Sequence, residues 1–303
     1  MSNSTKWFLV LTAVVGVFAT AAMIAFFFAR GAATGGGSTG FVGGMGDRIA
    51  VIELVGEIES SEDVVRQLKK HRDNSSVRAI LLRIDSPGGA VVPSQEMYEE
   101  VRRTRDSGLP VVVSMGSLAA SGGYYVALGG SILVANRGTL TGSIGVISQI
   151  LQLSEALAKL GIDFKTIKSG ELKDAGSFAR PMDEKEEKYL QALMDRVHEQ
   201  FRSVVEEERG IEGDDLRAVT DGRVFTGEEA YELGLVDTIG TYEDAIRIAA
   251  DLAGIEDEPT LVRERRRRSI FDPVFEDVTE RFNGIREKAL NGPVLQYRYP
   301  AAR

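Results

Sequence analysis

From Arg48 onward, short apolar runs alternate with amphipathic stretches, and this alternation restricts the possible folds more than anything else in the chain. RIAVIELVG reads as a buried strand, and SSEDVVRQLKKHRD as an amphipathic helix with Ser or Asp capping candidates at its start. VRAILLRID is a second strand, followed by the turn SPGG and a helix from Pro93 through SQEMYEEVRRTRD. LPVVVSM is a third strand, SILVA, SIGVIS and IDFKTIK are further short ones, and SEALAKLG is a helix between the last two. Strands that alternate with helices indicate βαβ units and an α/β fold. A long helix follows over 181–209, its residues Tyr189, Leu193, Val197, Phe201 and Val204 spaced to form one apolar face.

Ahead of this body lies an uncharged stretch, Trp7 to Ala29, bounded by Lys6 and Arg30. At ~1.5 Å per residue it extends ~34 Å, enough for a hydrocarbon core of ~30 Å. It exceeds the apolar region of about 7–15 residues found in cleavable signal peptides. Residues 1–30 are therefore expected to be a short tail and an uncleaved transmembrane signal anchor. Charge hardly biases its orientation; the simpler topology keeps the tail inside and the large domain outside. Residues 31–47 are a Gly-rich tether, 48–256 the α/β body, and 257–303 a basic run, a helix and an extended tail. RERRRR (263–268) reads as a solvated run or as a contact for acidic partners or anionic headgroups. Phe271, Val274, Phe275, Val278, Phe282 and Ile285 form an apolar stripe beyond it. The chain has 303 residues, no cysteine and a formal net charge of -9. Disulfides and thiolate chemistry are excluded, and nucleic acid is disfavoured as a partner.

Two glycine-bearing turns carry the chemistry. DSPGG (85–89) follows a buried strand and enters a helix; its glycines let backbone N–H groups approach a ligand and serve a developing oxyanion. AASGGYYVA (119–127) repeats the arrangement after the next strand, placing the hydroxyl of Ser121 at a tight turn with the Gly122 N–H beside it. A serine nucleophile needs a base. The chain has two histidines. His71 lies near a helix end whose dipole favours its cation, and His198 beside the apolar stripe of the long helix, so neither is a convincing base. Lysine serves if a pKa of about 10.4 falls to ~7, which requires about 4.6 kcal/mol of destabilisation of the charged form, as burial provides. The residues alone leave Lys165, Lys168 and Lys173 open.

DSPGGAVVPSQEMYEEVR followed by SMGSLAASGGYYVALGG resembles the paired signature of the Clp protease and crotonase superfamily. GTLTGSIGVI and TIKSGELKDAGS narrow the likeness to the signal peptide peptidase A family, bacterial protease IV-like Ser/Lys peptidases, in the short single-repeat form. Similarity runs from about Arg48 to about Ala253. The resemblance implies a repeated ββα core, Ser121 as nucleophile and Lys173 as general base. It also implies Gly122 with Gly88 or Gly89 as oxyanion donors, and Ser143 as a hydrogen-bonding support for the lysine amine. Asp174 is expected to point away from that amine, since a close carboxylate would raise its pKa.

The implied activity is endoproteolysis of remnant signal peptides near the bilayer through an acyl-enzyme, with no cofactor and no metal. Implied partners are peptide substrates, the lipid bilayer and further copies of the chain, with dyad residues shared across subunit boundaries. Ser121 and Lys173 of a single chain are thus expected to lie too far apart to hydrogen-bond. The expected location is a bacterial cell membrane, single-pass, with an extracytoplasmic catalytic domain. The C-terminal tail is a candidate self-substrate in a neighbour's groove. Two alternatives stand beside this reading: a crotonase-type acyl-CoA enzyme, and a catalytically silent membrane scaffold.

Overall fold

A computed structural model describes residues 47–264 and 296–299. The strands are β1 (Arg48–Val55), β2 (Val77–Ser86), β3 (Gly88–Ala90), β4 (Val111–Ala120), β5 (Ile132–Ala135), β6 (Leu140–Gly142), β7 (Val224–Thr226), β8 (Thr238–Ile239), β9 (Thr260–Arg263) and β10 (Gln296–Arg298). The helices are α1 (Glu62–Arg72), α2 (Val91–Asp106), α3 (Gly122–Ala127), α4 (Ser154–Lys159), α5 (Glu184–Arg209), α6 (Gly213–Val219), α7 (Gly227–Glu232) and α8 (Tyr242–Ala253). Eight strands form one sheet, in the order β7-β6-β4-β2-β1-β9, with β5 beside β4 and β8 beside β5. Every pairing in it is parallel except β6 with β7. The mixed α/β architecture expected from the strand–helix alternation is present.

The period of two along β1 and β2 sorts their side chains into two cores. Ala50, Ile52, Ile80 and Leu82 join Met97 and Val101 of α2 and Tyr124 of α3. Their neighbours Ile49, Val51, Ala79 and Leu81 join Ala245, Ile246 and Ala249 of α8. Helices therefore cover both faces of the sheet, which is why its central strands read as continuous apolar runs instead of alternating ones. Capping boxes at Asp183/Glu186, Thr226/Glu229 and Thr241/Asp244 set the starts of α5, α7 and α8.

Several local expectations need correction. Residues 162–168 (IDFKTIK) form no strand, and of SIGVIS only Ile147 makes a bridge, with Gln296. The helix expected from Pro93 begins at Val91, so the proline occupies the first turn, where a missing N–H costs nothing. β9 pairs with β1 and carries the sheet past residue 256. His71 is buried without a partner for either ring nitrogen; burial, then Lys70, lowers its pKa, opposite to the expected cation. Among the described residues no helix is long and apolar enough to cross a membrane, and the expected anchor at Trp7–Ala29 lies outside the described residues, as does most of the tail.

The sorting of side chains yields a test. Leu82→Ala, at a fully buried central position, is expected to lower unfolding free energy by about 2–5 kcal/mol. Val55→Ala, at the 65% exposed end of β1, is expected to change it by under about 0.5 kcal/mol. Urea denaturation of the two variants measures the contrast.

Candidate active site

β2 and β4 run in register as far as Ile84 and Met115, and then Ser86 pairs with Ala119. The extra length in β4 is a bulge, and Asp85 holds it: its carboxylate accepts from the Leu118 N–H at 3.1 Å. A Cβ on Gly116 would lie 2.7 Å from the Asp85 carboxyl carbon, so only glycine fits there. Beyond the bulge β4 leaves β5 and pairs with β6. Asp85 was not recognised as a bulge anchor from sequence, because the bulge it fills belongs to another strand.

Ser121 ends this strand at φ 54°, ψ −118°, a conformation that costs an L-residue about 1–3 kcal/mol and persists only where neighbours impose it. Its N–H donates to the Gly142 carbonyl at 2.7 Å, and its own carbonyl accepts from the Tyr125 N–H at 2.8 Å. Ser143 follows Gly142 directly, has φ 50°, and is fixed by its N–H donating to Arg223 O at 2.8 Å. Ser121 is thus tied by its N–H to Gly142, the residue before Ser143. Ser121 is 1% exposed, and its hydroxyl has no hydrogen-bond partner among the described residues. A buried hydroxyl left unpaired is costly, and here both its proton and its lone pairs are open to chemistry. Neither histidine bonds to it.

The DSPGG turn lies against Ser121. The Ser86 hydroxyl donates to Gly56 O at 2.6 Å and accepts from the Gly88 N–H at 3.1 Å. Gly88 has φ 90°, and a Cβ there would lie 2.5 Å from the Gly122 nitrogen. Gly122 opens α3, so its N–H has no carbonyl within the helix to bond. Gly89 backs onto Ile58, with which it forms a parallel bridge.

Along this edge runs β10, antiparallel to β3, with Tyr297 opposite Gly89 and Arg298 opposite Gly88. Gln296 exchanges both backbone bonds with Ile147, at 3.0 and 3.2 Å, and the Tyr299 N–H donates to Pro87 O at 2.8 Å. The segment is held on both sides, as a peptide is when it adds to exposed strand edges. The Tyr297 carbonyl oxygen would lie 2.2 Å from a Cβ on Gly88 and 3.1 Å from one on Gly122. The Tyr297 ring is fully buried. It stacks on Tyr125 at 5.2 Å, meets Phe201 at 4.8 Å, and its hydroxyl donates to Val197 O at 3.1 Å. Tyr125, Tyr297 and the pocket role of Phe201 escaped the sequence reading; a tyrosine in a proline-flanked extended tail was the available signal. The open cavity of about 350 Å³ lined by Arg83, Met115, Asn136 and Tyr242 contains none of these residues.

Lys173 is placed differently. It lies in a single 3-10 turn, Glu171–Asp174, and is exposed. The burial that a neutral lysine requires is not supplied by this chain's own described residues, and Ser121 Oγ makes no bond to it. Asp174 bonds Lys168 at 2.5 Å and Arg180 at 3.0 Å, with Arg180 and then Lys168 holding its pKa far below the usual carboxylate range. The surrounding segment exposes Ile167 at 91% and Leu160 at 72%, and α4 buries no residue.

The close approach of the two turns gives a prediction. Gly88→Ala would press a methyl group into the Tyr297 carbonyl and the Gly122 nitrogen. It is expected to lower peptide hydrolysis by about 100-fold or more, with far-UV circular dichroism preserved.

Comparison with known proteins places the chain in a family. Residues 103–256 match the description Peptidase family S49. A putative protease of Synechocystis sp. is 45% identical over 69% of this chain and 76% of its own length. A putative signal peptide peptidase SppA of Enterococcus faecium is 37% identical over 61% of this chain and 54% of its own length. A chloroplastic serine protease SPPA of Arabidopsis thaliana is 33% identical over 71% and 34%. The chain thus spans about half of the second relative and a third of the third. With half its length matched by the family and a relative 45% identical over 76% of that relative's length, this chain belongs to peptidase family S49 and is a serine peptidase.

Proposed function

We propose that the protein is a membrane-anchored endopeptidase that cleaves remnant signal peptides through a Ser121/Lys173 dyad assembled between copies of the chain, on a Clp protease/crotonase-like core. The observation that carries the reading is β10: an extended peptide of the chain itself, bound on two backbone edges, with one carbonyl oxygen beside Gly88 and beside Gly122, the residue that follows Ser121. A substrate strand held in the same way would present its scissile carbonyl to Ser121.

In the proposed reaction neutral Lys173 accepts the Ser121 proton as Oγ attacks the carbonyl carbon. The Gly122 N–H and that of Gly88 or Gly89 then donate to the oxyanion. Gly88 must share or give up its bond to Ser86 in order to serve. Collapse breaks the peptide bond, Lys173 returns the proton to the leaving amine, and water hydrolyses the ester by the same route. Ser143 is the support for the lysine amine.

Two features favour assembly. Lys173 is exposed in one chain, and the residues near it in sequence, Leu160, Ile162, Phe164, Ile167 and Phe178, are exposed apolar groups of the kind that subunit contacts cover. A neighbouring copy would supply both the burial that neutralises the lysine and the missing base. The Trp7–Ala29 stretch and the Gly-rich residues 31–47 suit a catalytic body kept near bilayer-embedded peptides, with the body on the extracytoplasmic side of a bacterial membrane.

Two experiments test this. A fluorophosphonate probe should label the wild-type full chain and lose labelling in Ser121→Ala and in Lys173→Ala; labelling that survives Ser121→Ala rejects the nucleophile. Co-assembled Ser121→Ala and Lys173→Ala chains, each inactive alone, should recover a measurable fraction of peptidase activity. Intact mixed oligomers without recovery would place both groups in one chain.

A further inference from the structure

The peptide strand of β10 does more than mark the groove, because its next side chain meets a charge. Successive residues of a strand point to opposite faces, so with Tyr297 buried in the aromatic pocket, Arg298 turns the other way. There its guanidinium Nη1 lies 3.2 Å from Glu57 Oε1, both side chains being about one-quarter exposed. The Arg298 Nε is buried without a hydrogen-bond partner, so the Glu57 carboxylate is the charge that compensates this guanidinium.

Glu57 is held firmly. The Gly56 N–H donates to Asp85 O at 3.0 Å, the Ile58 N–H to Gly88 O at 2.9 Å, and the Ala90 N–H to Ile58 O at 2.8 Å. The Ser86 hydroxyl fixes Gly56 from the other side. The backbone carrying Glu57 is thus tied to the same DSPGG turn that borders the Tyr297 carbonyl. Beyond Arg298 the Tyr299 N–H bonds Pro87 O, so the strand keeps its register past the acidic contact.

We propose that Glu57 is a specificity-determining residue that selects a basic side chain immediately after the scissile bond, with an aromatic residue immediately before it. This rests on the reading of Ser121 as nucleophile: if the Tyr297 carbonyl marks the reacting position, the amide nitrogen of Arg298 marks the leaving amine. Nothing in the dyad chemistry requires an acid at this place, and an ion pair one-quarter exposed is worth enough to sort substrates without trapping product.

The test uses the full chain in detergent with four fluorogenic peptides, identical except for Arg, Lys, Gln or Glu after a tyrosine. The wild type is expected to follow Arg and Lys above Gln above Glu in kcat/KM. The step from Arg to Gln should be roughly 3–10-fold at low salt and shrink as salt rises. Glu57→Gln should bring the Arg/Gln ratio to about 1, and Glu57→Lys should invert the Arg/Glu order. A flat ranking in the wild type overturns the proposal, as does a ranking that Glu57→Gln leaves intact. Should Glu57→Gln fail to fold, the wild-type ranking and its salt dependence still decide. Failure of the underlying reading looks different: fluorophosphonate labelling would not depend on Ser121.

Discussion

The Asp85 carboxylate, half-buried against the β4 bulge and bonded to the Leu118 N–H, is the contact on which the site depends. It allows β4 to take two partners in succession, β5 along its first half and β6 along its second. Without the bulge, β4 would keep its register with β2, and its end would not meet Gly142. Ser121 would then lose the carbonyl that holds its N–H and, with it, the positive-φ backbone it adopts between β4 and α3. The acidic residue of the DSPGG turn is therefore structural, and the serine beside it ties the turn to Gly56.

Close approach is the second constraint. Gly88 and Gly122 stand so near one another and the bound strand that any side chain on Gly88 would meet backbone atoms on three sides. Backbone cannot retreat as a flexible side chain can, so glycine is required for sterics as well as for φ. Beside this crowded turn the Ser121 hydroxyl is buried and has no hydrogen-bond partner among the described residues.

The alternation of strand and helix was legible because each central strand is buried on both faces, so its apolar run is continuous and bounded by polar helix starts. The two glycine turns were legible because glycine after a buried strand has few other uses. IDFKTIK misled because a β-branched and aromatic run satisfies strand propensity, but a strand needs a neighbour, and among the described residues no strand pairs with it. His71 misled because helix-end electrostatics were weighed without the burial that outweighs them.

By itself, the sequence determined the α/β class, the serine at the strand end, the glycines beside it and the absence of a suitable histidine. Each of these is local: it follows from periodicity, from the dihedral needs of one residue, or from counting. Only the tertiary structure decided that Asp85 anchors a bulge in another strand, that Lys173 stands exposed and away from the Ser121 hydroxyl, and that Tyr297 and Arg298 occupy the groove. These are contacts between residues tens to hundreds of positions apart. Their energies depend on burial and register, which exist only once the sheet has formed.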